Sequence, residues 1–289
     1  MKKNLIITAI LGTALMSCTN DSPQPVNRSL EVECYSRSAN EKKVVEDFGM
    51  YVLTSTGTTY QGVNNPVHVT YQSGWKFPTI LLTEDAYIYS FSPYTETTDC
   101  TALNVNLSTQ TDYLASSGPT TAGISNPSAS ITMEHILSKI NVTIDGSSSC
   151  QVKLLNVPID VEYNLKTNQL TIGNSGDLTS NSSSILICPS VSQVLKMLIT
   201  FNGKQYEYSE SAKTYEAGKE YNFNLSISDS KELVITGDVT ITDWEQAGDY
   251  DGTVNEKKYE EKSFIISTYT NNIYRCIRTR CPKRHEPNT

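Results

Sequence analysis

Residues that build active sites are scarce in this chain. Only three of its 289 residues are histidine, and His68, His135 and His285 lie too far apart for an HxH or HExxH pairing. Without a CxxC as well, the ligand spacing of a zinc site is missing, and no metal or other cofactor is expected. No Walker loop, GxSxG elbow or strand-linked GxGxxG is present. The carboxylate pairs Glu84-Asp85 and Glu260-Glu261 are adjacent in sequence, which suits a solvated surface better than the separated dyad of a glycosidase. Charge is sparse too: 19% of residues are charged and the net charge is −8. A surface for nucleic acid needs clustered Lys and Arg, so that partner is excluded. Together these absences predict a protein that is not an enzyme.

Long apolar runs are missing except at the start. Lys2 and Lys3 precede LIITAILGTALM, Leu5 to Met16, a basic flank and apolar stretch that read as a secretory signal over residues 1–17. A membrane-spanning helix needs about 20 apolar residues, more than this run supplies. Leu15-Met16-Ser17-Cys18 resembles a bacterial lipobox, in which the cysteine is acylated and becomes the first residue of the mature chain. Several acyl chains on Cys18 would hold the protein at a bilayer, because each buried methylene contributes about 0.8 kcal/mol. Residues 18–29 then form a polar tether. The other six cysteines, Cys34, Cys100, Cys150, Cys188, Cys276 and Cys281, are too irregularly spaced for a small disulfide scaffold, although export would permit bridges.

What is abundant is alternation. YNFNLSI places Tyr221, Phe223, Leu225 and Ile227 on one side of a strand, and INVTI does the same with Ile140, Val142 and Ile144. ALNVNLS repeats the pattern, while the wholly apolar Ile185-Leu186-Ile187 suits a strand buried on both faces. MLITF and KQYEYS are separated by Asn202-Gly203, a dipeptide that tolerates the positive φ angles of a type I′ hairpin turn. Helical periodicity shows only briefly, around MEHILSKI. The chain therefore reads as all-β, with closely spaced strands that favour sandwiches. The Ser/Gly/Pro-rich stretch Ser116 to Ser130 suggests two sandwiches, 30–135 and 136–254. Residues 255–289 differ in being basic, with eight Lys or Arg against four Glu, and show no pattern that predicts a fold. His135 reads as a structural histidine at a strand end or domain junction, and His68 as a residue on a strand's solvent face.

Four stretches in order are similar to the fimbrillin superfamily of Bacteroidia, the subunits and accessory proteins of type V pili. DFGMYVLTSTGTTYQGVNNPVHVTYQSGWKFPTILLTEDAYIYSFSPYTE resembles the first domain, with its "GW" strand and its "PY" strand. TDYLAS and SITMEHILSKINVTI resemble the next segments. YEAGKEYNFNLSISDSKELVITGDVTITDWEQAG resembles the closing strands. The resemblance implies two tandem transthyretin-like β-sandwich domains and a structural pilus role. It also implies export as a lipoprotein to the outer membrane, proteolysis after an arginine, and insertion of a neighbour's C-terminal strand into the groove left behind. Arg28 and Arg37 are the candidate cleavage points. The candidate donor strand runs through LVITGDVTITDW, whose Leu233, Ile235, Val239 and Ile241 share one parity; an internal strand of the second sandwich is the alternative for that stretch. Expected partners are other pilus subunits and the outer membrane. The competing expectation is a non-polymerising surface lipoprotein that binds glycans or host proteins through exposed Tyr, Trp75 or Trp244.

Overall fold

The computed structural model describes residues 28–37, 42–97, 99–209, 211–228, 233–234, 240–243 and 253–256. Apart from one turn of 3₁₀ helix, Leu107–Thr109, the regular elements among them are all strands. The fold is a β-sandwich architecture with two hydrophobic cores.

The first core fills the space under a nine-stranded sheet. Along its main path the strands run Lys42–Val44, Glu31–Arg37, Ser128–His135, Leu114–Ser116, Ala86–Ser92, Asp47–Leu53, Val67–Tyr71 and Trp75–Lys76, with Thr120–Ala122 also pairing to Ala86–Ser92. Alternation decides which side chains enter the core. Val67 and Val69 are buried while His68 faces out, and Ala129, Ile131 and Met133 are buried while Ser128 and Ser130 are not. Two side chains finish ladders that the backbone leaves incomplete. The Asn65 carboxamide accepts from Val52 N–H (2.9 Å) and donates to Val52 C=O (3.0 Å), beyond the point where Val67 pairs with Met50. The buried Tyr60 hydroxyl accepts from the backbone N–H groups of Thr83 (2.8 Å) and Glu84 (3.0 Å).

The second core is built mainly from residues after 135. Ser138–Ile144 pairs in parallel with Lys219–Ile227 and antiparallel with Ser184–Ile187. Cys150–Pro158, Ser175–Ser180, Lys196–Phe201 and Lys204–Ser209 form the facing part. The Asn202-Gly203 hairpin forms as expected, with φ of +49° and +73° and Phe201 paired to Lys204. MEHILSKI is not helical: two strands, Ser128–His135 and Ser138–Ile144, meet there. Ile136 and Leu137 are both buried at the junction, which satisfies the apolar spacing without a helix. Residues on both sides of the 135/136 boundary share this core. Leu103–Asn106 pairs with Asp160–Asn164, and Tyr51, Leu53 and Phe91 project into the same cluster from the outer face of the first sheet.

Candidate functional site: the N-terminal strand and the groove beneath it

The Glu31–Arg37 strand, EVECYSR, joins the first core through one parity only. Val32 and Cys34 are fully enclosed, as is Leu30 just before the strand, while Glu31 and Glu33 face solvent. On one side it lies parallel to Ser128–His135, from Glu31 opposite Ser128 to Ser36 opposite Met133. On the other, among the described residues, it meets the short strand Lys42–Val44, antiparallel, and Val45 N–H donates to Cys34 C=O at 3.2 Å. Ahead of it, Arg28 and Ser29 pair with Leu82 and Leu81, and Leu30 N–H donates to Ile80 C=O (2.8 Å). Burying Leu30 and Val32 contributes about 1.5–3 kcal/mol each. Removing the strand would uncover Ala129, Ile131 and Met133 and leave one side of the Ser128–His135 backbone without partners.

Both candidate arginines are exposed, in different settings. Arg28 precedes the strand, at the start of its own short pairing. Arg37 is the strand's last residue, and its guanidinium donates to Glu134 at 2.9 Å with 65% of the side chain exposed. Cleavage after Arg28 would leave the strand in place; cleavage after Arg37 would detach all of it. Burial also pushes the Cys34 thiol up to about 12, so it stays protonated and inert in the assembled fold.

The candidate donor residues fall partly outside the described chain. Leu233 begins the short strand Leu233–Val234, paired with Ser226 and Ile227. Ile241 lies in Thr240–Asp243, paired antiparallel with Lys219–Asn222, and its side chain is buried in the second core. Ile235 and Val239 lie outside the described residues, as do Cys18 and Trp244. Trp75 packs edge-on against Phe48 at 5.8 Å and against Tyr71 at 4.9 Å, with its side chain turned partly into the core. One element was missed in the sequence: Thr253–Glu256 forms a strand between Lys204–Ser209 and Leu233–Val234. Its four residues, TVNE, are too few to carry a periodic signal.

The two described histidines are tied into hydrogen bonds. His135 ends the Ser128–His135 strand and pairs through Nδ1 with Asp112 Oδ1 at 2.9 Å; His68 pairs through Nε2 with Asp47 Oδ2 at 3.2 Å and stacks on Tyr94. Cys34, Cys100, Cys150 and Cys188 are buried free thiols. Among the described residues no group of three or more His, Cys, Asp or Glu could hold a metal ion.

The family model described as fimbrillin-like matches residues 37–244. The chain belongs to the fimbrillin-like family. The match begins at Arg37, the last residue of the N-terminal strand. No curated protein sequence matches the chain. The solved structure of a candidate cell-adhesion protein of Bacteroides uniformis superposes with a TM-score of 0.59 at 18% identity, over 75% of this chain and 99% of that one. A second candidate cell-adhesion protein, from Bacteroides ovatus, gives 0.55 at 14% identity, over 78% and 98%. At these identities the two superpositions establish the shared fold. Membership gives the chain a structural, non-enzymatic role of fimbrial type.

Proposed function

We propose that this fimbrillin-like chain is exported as a lipoprotein on Cys18 and becomes a fimbrial building block when its N-terminal strand is cut away at Arg37. The observation that carries this reading is the placement of one whole strand, Glu31–Arg37, which follows the lipobox, buries Val32 and Cys34 on one face and ends on an exposed arginine. Cutting there discards the anchor and the strand together. The groove left behind has apolar sites spaced two residues apart and an open backbone edge, which an extended donor strand of matching parity refills. The chain's own candidate donor, through Leu233, Ile235, Val239 and Ile241, has that parity. Because its described parts pair with Lys219–Ile227, donation to a neighbour exchanges internal pairing for intermolecular pairing. Before cleavage the protein sits at the outer membrane; afterwards its partners are other subunits of the fimbrium.

The test is the mature N-terminus of the protein recovered from the surface of its own cells, read by mass spectrometry. A chain starting at Ser38 is expected in assembled material. A start at Ser29 would leave the strand in its groove and remove the basis for strand insertion. An acylated Cys18 in assembled material would make the protein a permanent anchor instead.

A further inference from the structure

One edge of the second sheet is closed by side chains alone. The Ser184–Ile187 strand pairs with Ser138–Ile144 on its inner side, from Ile187 opposite Ser138 to Ser184 opposite Asn141. Among the described residues its outer side has no strand neighbour. In this register the backbone groups of Ser184 and Leu186 point outward, giving two N–H donors and two C=O acceptors to satisfy. Leu186 N–H donates to Gln110 Oε1 at 2.6 Å, and Gln110 Nε2 donates to Leu186 C=O at 3.2 Å. Ser184 N–H donates to Ser182 Oγ at 3.2 Å, and the same hydroxyl donates to Ser184 C=O at 3.0 Å. All four groups are taken.

Gln110 reaches this position from across the chain. It follows the Leu107–Thr109 turn in a left-handed conformation, φ +52° and ψ +33°, a region that non-glycine residues seldom occupy. Its Nε2 also donates to Leu107 C=O at 2.8 Å, so the carboxamide is anchored at both ends. The strand it covers, Ser-Ile-Leu-Ile, has no charge and no proline, and its three apolar residues are buried. Such an edge, if open, is a template for another strand, and an identical edge turned by a two-fold axis is a complementary one.

We propose that Gln110, with Ser182, acts as an edge lock that prevents two copies of this chain from joining through Ser184–Ile187. For a protein built to assemble, the lock would direct strand addition to other edges. It stands on hydrogen bonds separate from those of the N-terminal groove and holds whether or not Arg37 is cleaved.

Gln110→Met tests it, because methionine keeps the length and apolar bulk of the side chain but makes neither bond to Leu186. The full mature chain at tens of micromolar would be compared with the variant by light scattering after size exclusion, and by hydrogen exchange read by mass spectrometry. The expected result is a doubled mass for the variant, with amides 184–187 slower to exchange in the dimer than in the parent monomer. A folded variant that stays at the parent's mass overturns the proposal, and so does a dimer whose new protection lies elsewhere. Should Gln110→Met not fold, Ser182→Ala removes the other half of the lock at an exposed position and carries the same two outcomes.

Discussion

Gly49 and Phe91 show how a residue without a side chain makes room for a ring across a strand pair. Gly49 stands opposite Phe91 in neighbouring strands, and the Phe91 ring lies in the space that a β-carbon at position 49 would need. Gly49→Ala must therefore displace a ring packed into the second core, and overpacking of this kind costs about 1–3 kcal/mol. Urea unfolding is expected to show a lowered midpoint, restored in part by Phe91→Leu in the same chain. The thiols make a second test at this scale. Burial holds Cys34 at about 12 and Cys188 at about 11, so the reactive thiolate is nearly absent at pH 8. Iodoacetamide labelling mapped by mass spectrometry should leave both unmodified in the folded protein and modify both in urea. Labelling of Cys34 alone under native conditions would report that the N-terminal strand had left its site.

At the scale of elements, the N-terminal strand is the one to test. A chain beginning at Ser38 loses the burial of Leu30, Val32 and Cys34, roughly 5 kcal/mol by the area relation. Its urea midpoint should fall well below that of a chain beginning at Ser29. A synthetic peptide spanning residues 29–37 should restore the midpoint, whereas the same peptide with Val32→Asp should not. Much of the element map is legible in the sequence. Parity alone places Ile140, Val142, Ile144, Tyr221, Phe223 and Leu225 inside, and Asn202-Gly203 fixes one hairpin register. What alternation cannot reveal is which strand lies beside which. Leu103 and Val105 read as a strand of the first sandwich and pair instead with Tyr163 and Val161, because parity gives the buried face and not the neighbour. Short elements such as Leu81–Leu82 and Thr253–Glu256 are held by long-range pairing and leave no local period. The edge lock was invisible for the same reason, since Gln110 and Leu186 meet only through tertiary structure.

Across the whole molecule, acid sensitivity follows from carboxylates that are tied to the fold. Asp99 is held below the usual carboxylate range by the Thr101 hydroxyl and backbone, Asp160 by the Asn174 side chain and backbone, and Asp177 by Lys153 and the Asn156 backbone. A carboxylate with a depressed folded-state pKa stabilises fully above its unfolded value, about 3.9, and loses that contribution as pH falls through the folded value. The urea midpoint should then stay flat with respect to these groups from pH 7 to 5 and fall below about pH 4, less steeply in Asp177→Asn than in the parent. The parallel register of Glu31–Arg37 against Ser128–His135 bears on the molecule under load. If the protein is tethered by its N-terminus while the rest of it is tugged from outside, tension runs along the axis of that strand. Its cross-strand bonds are then strained side by side and must rupture together, whereas a pull across the strand would peel them singly. An anchored molecule of this design grips firmly while force acts lengthwise, and once the peptide bond after Arg37 is cut, those parallel cross-strand bonds and the buried side chains beneath them are all that joins the anchor to the fold.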